Sequence, residues 1–219
     1  MSHLIPIPFL AITVTLLIRA EWRDERRQVY FFKPLSTALV ILVAVLSFFT
    51  PTVRPMFTWG LLLGLVLSLG GDVALMFKSN RAFLIGLVLF LLAHVAYAVV
   101  LTVYNGLYPQ DLITGAVLAL VGAALFFWLR PGLGPMQAPV ILYIVVILIM
   151  VNRALSTFFG VVFTPTQAWL LGLGAVLFML SDVMLAVDRF RLPFRWSRLS
   201  LYLYYGGQLL IALSPSYFA

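Results

Sequence analysis

The sequence predicts an all-α polytopic membrane protein, a transmembrane bundle of about eight helices with both termini outside. Of its 219 residues, 63% are hydrophobic and only 10% are charged, whereas a soluble domain carries about 25% charged residues. The apolar residues fall in runs of about 20, the length that crosses roughly 30 Å of hydrocarbon. These runs leave only short connections, so we expect residues 1–219 to form a single transmembrane domain.

Prolines and charged residues mark the ends of these runs. Proline lacks an amide hydrogen, so it does least harm between helices. The prolines that we assign to the gaps are Pro51, Pro55, Pro109, Pro131, Pro135, Pro165 and Pro193. The helices are predicted at about 3–19, 34–50, 57–77, 82–104, 111–130, 136–153, 165–187 and 198–214.

The basic residues indicate the orientation of the bundle. Twelve lie in the odd-numbered connections, and only Arg54 and Arg153 lie in the even-numbered ones. Lysine and arginine are retained on the cytoplasmic side, which predicts cytoplasmic odd loops in the cell membrane. The net charge of +7 therefore does not indicate a nucleic-acid partner. The twelve are Arg19, Arg23, Arg26, Arg27, Lys33, Lys78, Arg81, Arg130, Arg189, Arg191, Arg195 and Arg198.

The composition also excludes several kinds of chemistry. The chain has no cysteine, which rules out a disulfide, a thiolate nucleophile and a cysteine-ligated metal. The motifs of phosphate loops, HExxH metalloproteases and GxSxG hydrolases do not occur. We expect no cofactor and no metal, and any chemistry must lie in the membrane or at its surface.

Two aspartates, Asp72 and Asp182, lie inside apolar runs and are the predicted chemical centre. Both stand six or seven residues before a basic helix end, so they lie at similar depth in the cytoplasmic half. A charged side chain at a helix centre costs roughly 2.5–3.5 kcal/mol on insertion scales, and such residues face the bundle interior or a wet cavity. The alternative is a structural role, in which each aspartate hydrogen-bonds a neighbouring helix.

The surroundings of the two aspartates resemble each other. Residues 63–76 are similar to residues 173–186, and the aspartates are 110 positions apart. This similarity suits a parallel repeat of four plus four helices. The alternative is chance likeness between two helices rich in leucine and glycine.

Five further polar residues lie within the predicted helices. His94 and Tyr97 share one face of the fourth helix, and Tyr205 and Gln208 share one face of the eighth. Ser68 lies one turn before the first aspartate. Each can orient a carboxyl group or bind water, or can simply be a packed hydrogen-bonding residue or an interface anchor.

Three basic residues are candidates for a lipid phosphate. Lys33 precedes the predicted start of the second helix, and Lys78 and Arg81 lie in the third connection. Basic residues at this level of the membrane bind phospholipid head groups. They are equally typical of an orientation signal alone.

Five segments together resemble the YhhN-like lysoplasmalogenase family. They keep the family's order and roughly its spacing, and the resemblance covers nearly the whole chain, least distinctively over residues 104–153. The segments are KPL at 33–35, LSLGGDVALM at 67–76, AHVAY at 93–97, LFMLSDVMLA at 177–186 and YYGGQLLIA at 204–212.

The resemblance implies a lysophospholipid substrate and hydrolysis of its vinyl ether bond. The products are a fatty aldehyde and a glycerophospho-ethanolamine or -choline. Protonation of the β-carbon gives an oxocarbenium ion, and glycosidases meet a related ion with two carboxyl groups. Asp72 and Asp182 would then form an acid–base pair, with His94, Tyr205 and Gln208 as orienting or water-binding groups.

Two other functions stay open at this point. Paired intramembrane aspartates carry protons in many pumps, so a proton-coupled transporter of lipids or small solutes is the main alternative. The two aspartates together with His94 can also be interpreted as ligands of a hard divalent ion such as Mg²⁺. The sequence leaves the oligomeric state open.

Overall fold

The computed structural model describes residues 2–193 and 196–218, and over these residues the chain forms eight α-helices and no strand. Short 3-10 turns extend several of the helix ends. Arg195, which was counted with the seventh loop, lies outside the described residues. The helices are α1 (Pro6–Trp22), α2 (Arg26–Leu46), α3 (Pro55–Leu75), α4 (Asn80–Asn105), α5 (Gln110–Leu133), α6 (Gln137–Ser156), α7 (Pro165–Phe190) and α8 (Ser200–Leu213).

The helices confirm the all-α prediction and a multi-pass membrane protein. Within the described part, six stretches are long and apolar enough to cross a membrane. One of them, Gln110–Ser156, has 47 residues and contains both α5 and α6, so seven helices are candidates. Helix α8 has only 14 residues, fewer than the roughly 20 that span a bilayer. The number of crossings and the side of each terminus therefore stay predictions.

Two prolines that were used as helix boundaries, Pro34 and Pro131, lie inside helices. Helix α2 begins at Arg26, so Lys33 and Pro34 lie about two turns inside it. Helix α5 continues through Pro131 to Leu133. Membrane helices tolerate internal prolines because neighbouring groups bond the freed backbone atoms. The loop before α2 consequently has only three residues, 23–25.

Six helices form a closed ring. Following the contacts around it, α2 packs on α3, α3 on α4, α4 on α6, α6 on α7, α7 on α8, and α8 returns to α2. Helix α1 packs mainly on the outside of α2, and α5 mainly on the outside of α6. The interior of the ring therefore receives polar side chains from all six helices.

Small residues allow the closest helix approaches within this ring. A Cβ atom at Gly64 of α3 would overlap the ring of Tyr97 on α4. A Cβ atom at Gly174 of α7 would lie 2.9 Å from the carbonyl oxygen of Gly207 on α8. Glycine therefore lets each helix pair bring its polar groups within hydrogen-bonding reach across the interface.

An ion pair fixes the first turn of α5 to α6. The Arg153 guanidinium donates to the Asp111 carboxylate at 2.6 Å, and Arg153 is buried. It also donates to the carbonyl of Gly106, in the loop before α5. Helix α5 has few other neighbours, so this contact holds one end of a peripheral helix.

The absence of cysteine makes the orientation directly testable. Single Thr52→Cys and Leu107→Cys substitutions place a thiol at exposed positions in even loops, and Leu192→Cys places one in an odd loop. The positive-inside rule predicts that a membrane-impermeant maleimide labels the first two in intact cells and the third only after permeabilisation. The reverse pattern would contradict the predicted orientation.

Candidate functional site

Asp72 lies near the end of α3, where three side chains from two other helices meet its carboxylate. The Lys33 ammonium on α2 is 3.6 Å from Oδ1. Thr37 on α2 and Tyr204 on α8 each donate a hydroxyl hydrogen to Oδ2, at 2.6 and 2.7 Å. Only 3% of the Asp72 side chain and 10% of the Lys33 side chain is exposed. Asp72 is therefore a buried carboxylate whose charge is matched inside the protein.

A second layer of hydrogen bonds orients these partners. The Tyr205 hydroxyl donates to the carbonyl oxygen of Lys33 at 3.0 Å. The Gln208 amide donates to the Tyr204 hydroxyl at 3.4 Å and accepts from the Tyr97 hydroxyl at 3.0 Å. Three of the residues predicted to orient a carboxyl group thus lie together, in a network that ends on Asp72.

Ser68 lies on the Tyr97 side of this network. It is fully buried on α3, and its hydroxyl has no hydrogen bond of ordinary geometry. The predicted role of Ser68 in binding water stays a prediction.

Asp182 has different and fewer partners. The Tyr143 hydroxyl on α6 donates to Oδ2 at 2.5 Å. His94 Nε2 on α4 lies 3.8 Å from the same oxygen, which is too long for a hydrogen bond. His94 is fully buried, and both of its ring nitrogens lack a hydrogen-bond partner. Its ring packs against Phe178 and Tyr143, with centroids 4.7 and 5.3 Å apart.

A cavity of about 220 Å³ lies in front of Asp182, between α4, α5, α6 and α7. Among the residues that line it, only Asp182 and Tyr143 carry a polar side chain. Val121 of α5 and Leu180 of α7 line the cavity and are also 51% and 42% exposed on the outer surface. The cavity is therefore an apolar chamber with one carboxyl group in its wall and an edge on the membrane-facing side.

The two carboxyl groups lie in the same part of the bundle but have separate partners. The Tyr204 ring, whose hydroxyl bonds Asp72, packs edge-on against Phe178 at 5.2 Å. Phe178 in turn packs on His94 beside Asp182. Tyr204, Phe178 and His94 thus form an aromatic layer between the two carboxyl groups. The acid–base pair of Asp72 and Asp182 stays a prediction.

The three predicted phosphate-binding residues differ in position. Lys33 is buried against Asp72. Lys78 is 72% exposed, with its ammonium 3.8 Å from an Asp24 carboxylate, and Arg81 is exposed at the start of α4. Lys33 would have to leave Asp72 to bind a head group, whereas Lys78 and Arg81 are already exposed.

The described residues do not form the alternative metal site of two aspartates and His94. Across 2–193 and 196–218, no three His, Cys, Asp or Glu side chains lie close enough together to hold a metal ion. His94 lies beside Asp182, whereas Asp72 is bonded to Lys33. The two aspartates and His94 therefore do not form a set of three ligands.

The predicted site residues leave out three partners of the aspartates, Tyr143, Thr37 and Tyr204. Tyr143 interrupts an otherwise apolar stretch of α6, and a buried tyrosine hydroxyl generally needs a partner. Thr37 follows Lys33 by one turn, which places both on one face of α2. The residue types gave these signals, but only the fold identifies the aspartate that each one contacts.

Comparisons with known proteins identify the family of this chain. Residues 28–215 match the YhhN family. The proteins named Lysoplasmalogenase TMEM86A of Bos taurus and of Homo sapiens are each 34% identical over 155 residues, which cover 69% of this chain. The matched stretch covers 62% of the length of each relative, less than two thirds. No solved structure matches the chain. Because the match spans most of its length, the chain belongs to the YhhN family.

Proposed function

We propose that this protein hydrolyses the vinyl ether bond of a lysoplasmalogen in the membrane. One observation carries the proposal: the Asp182 carboxyl group lies in the wall of an apolar cavity whose edge reaches the membrane-facing surface. The name lysoplasmalogenase of the bovine and human relatives supports this substrate class. An alkenyl chain is apolar, and its reactive double bond must meet a proton donor.

The reaction needs one acid and one water molecule. Asp182 gives its proton to the β-carbon of the vinyl ether, which leaves a carboxylate and an oxocarbenium ion. Water adds to the cation and returns a proton to Asp182. The resulting hemiacetal collapses to a fatty aldehyde and a glycerophospho-base, and the acid is ready for another turnover.

The neighbours of Asp182 suit this cycle. The Tyr143 hydroxyl bonds Oδ2, so the other oxygen can carry the transferable proton. His94 lies 3.8 Å away with both ring nitrogens unpartnered, which leaves it able to bind the attacking water or accept its proton. Its rigid packing against Phe178 holds this position.

Asp72 has a supporting role in this proposal. Its contact with Lys33 keeps it as a carboxylate, and its hydrogen bond holds Tyr204. Tyr204 supports Phe178, which in turn supports His94. Asp72 therefore positions the aromatic layer behind the site and contributes negative charge toward the cation.

The head group is proposed to lie at the end of the cavity that contains Phe83. Arg189 stacks over the Phe83 ring at 5.0 Å, and Phe83 lines the cavity. Arg81 is exposed two residues earlier on α4. Arginine binds phosphate through a planar fork of donors, so these two residues suit a lysophospholipid phosphate better than the buried Lys33.

The proposed reaction predicts aldehyde release that depends on Asp182. Purified protein in detergent, given an alkenyl lysophospholipid, is expected to release a fatty aldehyde that mass spectrometry detects. Asp182→Asn keeps the shape but cannot donate the proton, and we expect roughly 100-fold or greater loss of kcat. Unchanged turnover in a folded Asp182→Asn protein would remove Asp182 from the mechanism. Proton-coupled flux in liposomes without aldehyde would favour transport.

The supporting role of Asp72 predicts a stability defect. Asp72→Asn leaves the Lys33 ammonium buried without a counter-charge, which costs about 3 kcal/mol or more of unfolding free energy. Adding Lys33→Met removes that charge, so the double variant should regain most of the thermal stability in detergent. If Asp72→Asn alone melts like the wild type, the ion pair does not stabilise the fold.

The apolar cavity predicts chain-length selection at Gly122. This residue lines the cavity on α5, and a Cβ atom there meets the flexible end of the Leu148 side chain. Gly122→Leu should raise KM for long alkenyl chains and leave short ones little affected. Ala124→Leu, at an exposed position on the same helix, is the matched control. An equal effect of both variants would argue against the cavity as the chain site.

A further inference from the structure

The two carboxyl groups are surrounded by residues that share one sequence offset. Adding 110 to Lys33 gives Tyr143, and adding 110 to Asp72 gives Asp182. Subtracting 110 from Tyr204 gives His94. Asp72 lies beside Lys33 and Tyr204. Asp182 lies beside the corresponding residues, Tyr143 and His94. Three coincident offsets in three different helix pairs go beyond a local likeness of α3 and α7.

The packing order explains the offset. In a repeat of α1–α4 and α5–α8, α2 corresponds to α6 and α4 corresponds to α8. The packing of α2 on α8 then corresponds to the packing of α6 on α4, and both contacts occur. The outer positions of α1 on α2 and of α5 on α6 correspond as well. Helices α3 and α7 both begin at a proline, Pro55 and Pro165, which are again 110 apart. Between 63–76 and 173–186, seven of fourteen positions are identical.

The two sites nevertheless differ in charge. Asp72 receives an ammonium group and two hydroxyl donors, from Lys33, Thr37 and Tyr204. At Asp182, Tyr143 replaces the lysine, and Ile147, which lines the cavity, replaces the threonine. A buried carboxylate is stable only with a matching charge or several donors. The first site has both, and the second has a single hydroxyl bond.

We infer that the chain contains two carboxyl sites in corresponding positions of a repeat. The residue beside each carboxyl group, Lys33 at Asp72 and Tyr143 at Asp182, decides whether that group holds a transferable proton. Lys33 holds Asp72 as a fixed carboxylate. Tyr143 leaves Asp182 neutral, beside the cavity. The inference deepens the proposed function, since it assigns the acid to Asp182, and it rests on that proposal for its catalytic meaning.

Infrared spectroscopy of the protein without substrate tests this assignment. A protonated carboxyl group has its own C=O stretching band, and in the wild type we expect one that disappears in Asp182→Asn. Tyr143→Lys supplies an ammonium group, so this band should vanish and hydrolysis should fall by roughly 100-fold or more. Tyr143→Phe removes the hydroxyl without adding charge and should keep the band, which separates the effect of the cation from loss of the tyrosine.

The reverse variant tests the other site. Lys33→Tyr removes the cation beside Asp72, so a second carboxyl band should appear and should be lost again on adding Asp72→Asn. This arm decides the question even if Tyr143→Lys does not fold. Absence of the Asp182 band in the wild type, its retention in Tyr143→Lys, or no new band in folded Lys33→Tyr would each overturn the inference. Because the bands need no substrate, failure of vinyl ether hydrolysis would be a separate result.

Discussion

The buried contact between Lys33 and Asp72 is the interaction on which the rest of this structure depends. Hydrocarbon offers no hydrogen-bond partner, so every charge inside the ring must be matched by the protein itself. This contact joins α2 to α3, and Tyr204 adds α8 through the same carboxylate. Removing one member leaves the other as an uncompensated buried charge, which is much worse than having neither. The arrangement therefore ties α2, α3 and α8 together on one side of the ring.

The second carboxyl group lacks such a match. Asp182 has one hydrogen bond, from Tyr143, and otherwise faces an apolar chamber. Asp182 therefore has no cation beside it of the kind that Lys33 supplies to Asp72. Helix α5, which stands outside the ring, supplies one wall of the chamber through Val121 and Gly122. A peripheral helix thus forms one wall of the chamber beside Asp182.

A layer of aromatic rings lies between the two carboxyl groups. Tyr204, Phe178 and His94 pack in series from one carboxyl group to the other. The chain belongs to the YhhN family, and two of its relatives are named lysoplasmalogenase. The four-plus-four repeat stays a prediction, and the order of helix packing supports it.

The sequence by itself determined the helices and the residue types of the site. Runs of apolar residues cannot be exposed to water, and an aspartate inside such a run must have a reason to be there, so Asp72 and Asp182 stood out without coordinates. The sequence misplaced the start of α2, because a proline such as Pro34 usually marks a helix end, whereas a packed neighbour can satisfy the freed backbone atoms. Only the tertiary structure decided that Lys33 neutralises Asp72 and that Tyr143 bonds Asp182. These contacts join residues 39 positions apart on separate helices, and which helices become neighbours depends on packing around the whole ring.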